Sequence, residues 1–391
     1  MNYSAYFDIW TTILYVTVGV LGSIFISAFK KPVFNLASQN AIVARHNRER
    51  LYMFLFFFLY VSLAVFRKVT YEIGGTDAQN YINNFNLILQ HGGIDRTGNV
   101  ELELGFQFLT RLVRSITSEY KIYFFICYGI IAYGYIKFIR DVCPRGGIYL
   151  PFILLMYPYF RGFNTMRTSL AIAFVLIGLT YLDKMKWRSL LFFIIAILIH
   201  RVSILFVLVW PYYVLFKKPM MKLTRAKFAV VALGGVFLTF MFAMSLRQYI
   251  LLFSLMDDTE LSYMESALDD NILMRWPLYL GPLMLFLAIF LFYKKIPRNS
   301  QTLFLRTLFV FDIWMIPAAL VLGMWRFIEF FYLVRLSLWT VVLPIMVGHK
   351  SDYKKIIVKS SAFIIFVAWL VIRVYKEWEA TSVSPYILDL F

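Results

Sequence analysis

Long uninterrupted apolar runs constrain this chain more than any other feature. About twelve hydrophobic segments recur along its 391 residues, beginning near residues 9, 51, 120, 148, 168, 189, 203, 228, 276, 303, 327 and 356. The yardstick is the roughly 20 apolar residues a helix needs to cross a bilayer. The chain is 61% hydrophobic and 16% charged, more apolar than a soluble domain of this size requires. The runs are continuous rather than alternating, which excludes an outer-membrane barrel. The expectation is an all-α polytopic integral membrane protein: one transmembrane domain over residues 1–391, with about 12 transmembrane helices, some short or re-entrant. No small-residue cleavage site follows the first run, so it reads as a retained span.

Net charge is +17, dispersed over short loops, which fits the positive-inside bias and argues against nucleic acid as a partner. The basic loops are 30–50, 140–147, 183–188, 217–227, 294–302 and 349–355. Placing them all inside leaves two large outer loops, about 67–120 and 247–275. The run 189–216 tests this arrangement. As one helix it would span about 42 Å and would put one of its two basic flanks outside. A hairpin turning at His200-Arg201 keeps both inside, with the turn below the outer surface, in protein rather than lipid.

On that topology the inner side holds 15 lysines and 9 arginines, and the outer side holds 3 lysines and 12 arginines. Lysine suffices for topology, whereas the planar guanidinium captures phosphate and carboxylate bidentately. The excess of outer arginine therefore points to an anionic ligand. The two cysteines and four histidines have no metal-ligand spacing, so neither metal nor cofactor is expected.

Four places carry candidate chemistry. In "YFRGFNTMRTSLAIA", Arg161 and Arg167 flank a turn that opens an apolar helix, with Asn164 or Thr165 as its cap. Cations are misplaced at a helix N-terminus unless an anion joins them. In the hairpin turn, His200 and Arg201 are ionisable groups inside an apolar run, hence functional candidates, the histidine for proton transfer or diphosphate contact. In "LGMWRFIEFFYLVRLSLW", Arg326 and Arg335 either line an outer cavity or, for Arg335, pair with Asp312; Glu329 is placed to pair with Arg326. In "RKVTYEIGGTDAQNYINNF", Asp77 and Tyr81 share a helix face if the helix starts near Thr76. Residues 101–117 follow as an amphipathic helix with Glu103 near its start. Asp77 and Glu103 are the two carboxylates available to deprotonate a hydroxyl.

In this order the pieces resemble a known family. They are Gly75-Thr76-Asp77 with Tyr81, Glu103-Leu104-Gly105-Phe106, Arg167 with Ala171-Ile172-Ala173, His200 with Ser203, and a late arginine, Arg326 or Arg335. The chain is similar to the EpsG/Wzy group of polysaccharide polymerases, best over residues 67–205. Arg201 after the histidine departs from the small or aromatic residue of the pattern. The resemblance implies a GT-C-like membrane glycosyltransferase in the bacterial inner membrane, its active site facing the periplasm or cell exterior. It would join undecaprenyl-diphosphate-linked repeat units into O-antigen or capsule-like polysaccharide. Its implied partners are the lipid-linked glycan donor and acceptor, membrane lipids and a chain-length co-polymerase. In that scheme Asp77, Glu103 and His200 are catalytic candidates, and Arg161, Arg167, Arg201, Arg326, Arg335 and Tyr81 bind substrate. A lipid-linked glycan ligase, a membrane acyltransferase and an anionic lipid or sugar transporter are the alternatives; internal repeats, which a transporter predicts, are not seen.

Overall fold

The computed structural model describes residues 8–31, 39–75, 77–91, 102–253, 276–322, 325–348, 351–381, 383–384 and 386–389. Among them every regular element is helical: α1 Ile9–Lys30, α2 Gln39–Val65, α3 Ala78–His91, α4 Leu104–Ile116, α5 Tyr120–Val142, α6 Met156–Arg161, α7 Met166–Tyr181, α8 Lys186–Ile199, α9 Val209–Met221, α10 Arg225–Phe253, α11 Trp276–Phe292, α12 Ser300–Val321, α13 Tyr332–Val347 and α14 Asp352–Thr381. Short 3-10 segments cover Leu150–Leu155, Arg201–Leu208 and Trp325–Phe331.

Seven helical stretches are long and apolar enough to cross a membrane among the described residues. This is a multi-pass membrane protein. The other expected segments form shorter pieces. The run near residue 148 divides into a 3-10 turn and the six-residue α6, and α7 and α8 have 16 and 14 residues. Short helices at membrane depth need protein around them to satisfy their ends, and α7 is buried along almost its whole length. Most of the outer loop 247–275, from residue 254 on, and residues 92–101 of the first outer loop lie outside the described residues.

The helices form two compact units. The first comprises residues 1–204 and 349–391. Its centre is α5 and α7, which approach closely because Gly134 faces Ala173; α8 packs on α7, and α1 and α2 on one another. Asp8 caps α1, its carboxylate accepting from the N–H groups of Trp10 and Thr11 at 3.1 Å. The C-terminal tail returns to this unit. Lys68 N–H donates to the Ile387 carbonyl at 2.7 Å, Asp389 N–H to Phe66 at 2.8 Å, and the Tyr15 hydroxyl to Val383 at 2.7 Å. The second unit, residues 205–348, packs α10 and α9 on α12, with α12 beside α13. Asn299 caps α12, and the Trp314 indole donates to the Val231 carbonyl at 3.1 Å.

α4 is amphipathic, as its sequence implies. Phe106, Thr110 and Val113 are buried, while Leu104, Phe108, Leu112 and Ile116 form an exposed apolar ridge at i, i+4 spacing. A helix of that kind suits the membrane interface.

Candidate active site

The site is built from turns that glycine permits. The chain leaves α2 at Arg67 and turns at Gly74 and Gly75, both with positive φ (84° and 111°). A side chain at Gly75 would stand 2.9 Å from the Phe163 carbonyl, so only glycine lets this turn lie on the turn between α6 and α7. Arg67 fastens the two together. Its buried guanidinium donates to the carbonyls of Gly74 at 3.1 Å and Phe163 at 3.3 Å and to the Tyr128 hydroxyl at 3.0 Å. It also lies over the rings of Phe124, Tyr128 and Phe163 at 4.4 to 5.0 Å. Arg67 is one of the twelve outer arginines, and its position between an apolar run and Gly74-Gly75 is the sequence signal for this role.

Asp77 opens α3, its carbonyl accepting the Tyr81 N–H at 3.1 Å. Its own N–H donates to the Asn164 side chain at 2.7 Å. This corrects the expectation of a capped α7. Thr165 stands at the N-cap of α7 without a side-chain capping bond, because Asn164 is used on the Asp77 turn and the Thr165 hydroxyl donates back to the Arg161 carbonyl at 3.2 Å. Thr76 lies outside the described residues.

Glu103 is the hub. It precedes the first residue of α4, and Gly105 brings it home. A Cβ at Gly105 would stand 2.7 Å from both Cβ and the carbonyl oxygen of Leu198, so glycine lets α4 rest directly on the end of α8. One oxygen of Glu103 accepts from Arg167 Nη1 at 2.8 Å. The other accepts from His200 Nδ1 at 2.7 Å and the Arg201 N–H at 3.3 Å. The helical run through 189–216 contains no glycine, and its one proline follows the break at His200. Glu103 accounts for the break from outside by satisfying the first N–H of the Arg201–Leu208 segment. The hairpin reading needs a turn at this position. The Arg201 backbone N–H enters the cluster, and its side chain is exposed.

Burial alone would push the Glu103 carboxyl up. The hydrogen bond with His200 and the charges of Arg167 and His200 outweigh burial and hold it at about 2. It is ionised at neutral pH and holds a proton weakly there. Tyr81, buried and edge-on to Phe106 at 5.8 Å, lies against the Arg167 guanidinium. Arg161 is buried with its Nη1 3.3 Å from the Tyr157 hydroxyl; Arg373 stacks on the same ring at 5.0 Å, a further buried arginine that spacing gave no means to place.

The first unit thus brings Glu103, Arg167, His200, Tyr81 and the Arg201 backbone together and ties the Asp77 turn to the chain just before Arg167. Arg326 and Arg335 belong to the second unit. Of the two readings of Arg335, the pairing is observed. Its guanidinium makes a buried two-pronged bond to Asp312 at 2.6 and 2.7 Å and donates to the Ile328 carbonyl at 3.0 Å. Arg326 is half-buried at the start of the Trp325–Phe331 segment. Among the described residues no three His, Cys, Asp or Glu side chains gather as a metal site would require.

The model of the EpsG family matches residues 53–388. The chain belongs to the EpsG family. The match covers most of the chain and both units, and membership makes this a polysaccharide-polymerase type of membrane protein. No curated protein and no solved structure matches the chain. The motifs of this EpsG-family chain acquire physical reasons from its geometry: Gly75 for contact with Phe163, Gly105 for contact with Leu198, Ala173 for contact with Gly134.

Proposed function

We propose that this EpsG-family chain joins undecaprenyl-diphosphate-linked repeat units at the outer face of a bacterial inner membrane. The observation that carries the reading is Glu103 bonded at once to Arg167 and His200. In the reaction an acceptor sugar hydroxyl attacks the anomeric carbon of the donor glycan. The new C–O bond forms as the bond to the diphosphate breaks, and undecaprenyl diphosphate leaves with the bonding electrons. Arg167 and Arg161 receive that developing charge; guanidiniums held in advance by protein stabilise it without reorganisation.

The acceptor proton needs a base. A carboxylate held at about 2 is poorly matched to that task near neutral pH. Glu103 instead positions His200: in the neutral imidazole that gives Nδ1–H to Glu103, Nε2 carries the lone pair that accepts the hydroxyl proton, and the imidazolium so formed is stabilised by Glu103. Asp77, on the turn tied to Asn164, and Tyr81 orient the acceptor. The alternative in which Asp77 is the base predicts that Asp77→Asn abolishes transfer while donor binding survives.

The reading is tested by deleting the gene in a producing host and separating its glycans by electrophoresis. Loss of the ladder with survival of single-repeat glycan supports a polymerase. Loss of every capped form indicates a ligase and overturns it.

A further inference from the structure

The catalytic cluster sits at one end of the first unit. α7 runs from Met166, next to Arg167, to Tyr181, about 24 Å at 1.5 Å per residue. Tyr181 lies under the Lys137 amine at 4.7 Å, so the last turns of α5 mark the opposite end. Most cations there already have partners. Lys137 and Arg140 share Asp141 at 2.9 and 2.8 Å, and Arg145 holds Glu49 at 2.8 Å. Lys30 is buried and donates to the carbonyls of Arg140, at 2.9 Å, and Cys143. With the Ser23 hydroxyl on the Tyr149 carbonyl at 2.7 Å, these bonds fix the loop after α5 to the end of α1.

Beside that fixed wall lies a cavity of about 650 Å³, between the end of α1, the turn at Gly146-Gly147 and the first half of α14. Two lysines line it, Lys31 and Lys359, with the hydroxyls of Ser27 and Ser360 and an apolar side that includes Phe363 and Ile364. Among the described residues no acidic side chain lines it. Two ammonium groups face one cavity while Lys137, Arg140 and Arg145 close by are paired with carboxylates, and the two call for an anion. The apolar side continues along α14, whose membrane-spanning window is only 6% buried within the protein.

We propose that this cavity is a binding site for an anionic glycerophospholipid. The headgroup phosphate sits between Lys31 and Lys359, and an acyl chain lies along Phe363, Ile364 and the outer face of α14. Basic pockets between spanning helices take such headgroups. Free phosphate shares the charge, but it leaves the apolar side uncovered. The site is independent of the polymerase reading, because none of its residues enters the reaction.

The test titrates the full chain, purified in neutral detergent, with phosphatidylglycerol, phosphatidylcholine or sodium phosphate, and follows binding by native mass spectrometry and thermal unfolding. Lys31→Ala/Lys359→Ala is expected to weaken phosphatidylglycerol binding roughly tenfold or more and to leave phosphatidylcholine unchanged. Lys31→Arg/Lys359→Arg keeps the binding, and Lys354→Ala/Lys355→Ala, removing the same amount of charge from the first turn of α14, does not lower it. Unchanged phosphatidylglycerol affinity in the double alanine variant overturns the proposal. So does equal protection by sodium phosphate, or equal loss in the Lys354/Lys355 control.

Discussion

At the scale of residues, one carboxylate decides the arrangement. Glu103 satisfies a guanidinium, an imidazole and a backbone N–H, so its loss releases three groups together. Glu103→Gln keeps the shape and removes the charge. We expect transfer to fall at least 100-fold and the fold to lose about 1–3 kcal/mol, read by glycan ladders and by thermal unfolding. The folded pKa of Glu103, about 2, lies below the ordinary glutamate value. Its stabilisation is therefore fully present above about pH 4.3 and is lost as pH falls through about 2. The stability gap between the wild-type chain and Glu103→Gln is accordingly present at pH 5 and closes between about pH 4 and 2. A gap that closes already between pH 7 and 5 would contradict the assignment. Arg335 is a contrasting case, because its partner Asp312 is almost wholly buried. Asp312→Ala leaves a buried guanidinium without its carboxylate and should cost about 3–5 kcal/mol. Calorimetry checks this, and a loss below about 1 kcal/mol would remove the structural role given to the pair.

At the scale of elements, the site depends on how closely helices and turns approach. Gly105→Leu forces α4 away from Leu198 and should pull Glu103 off His200, lowering activity while α4 stays helical; full activity in that variant would mean that the contact does not matter. Much of this was legible in the sequence. The Gly74-Gly75 turn before Asp77, the amphipathic helix with Glu103 at its start and the arginine opening α7 stand where the pattern puts them, and the run 189–216 is interrupted at His200. What was not legible depends on distant partners. Nothing near His200 in sequence breaks a helix there; Glu103, 97 residues earlier, does. Asn164 looks like a cap for the helix that follows it, yet it holds the Asp77 turn, 87 residues away. The tail at 383–389 carries no motif, but it pairs with residues 66 to 68 beside the Gly-Gly turn. Ending the chain at residue 381 should therefore loosen that turn. Faster hydrogen exchange at Lys68 and residues 73–75 is the expected sign, and unchanged exchange there would count against the tail as a brace.

At the scale of the whole molecule, apolar length and charge bias established a multi-pass helical membrane protein, whereas the number of spans was blurred by short helices that hydrophobicity alone does not distinguish from full crossings. The hairpin expected at His200-Arg201 makes a topological claim that can be checked directly. Single cysteines placed at Lys186 and Lys218 should both be labelled only from the cytoplasmic side; one labelled from outside would undo the assignment of Arg167 to the outer face. The central claim is that the Glu103, Arg167 and His200 cluster performs lipid-linked glycan polymerisation. Its most direct test is reconstitution of the purified chain with undecaprenyl-diphosphate-linked repeat units. The wild-type chain should produce a ladder of products, and Arg167→Lys, which keeps the charge but loses the fork, should remain folded and produce almost none. A full ladder from Arg167→Lys, or none from the wild-type chain given intact substrate, would contradict the account.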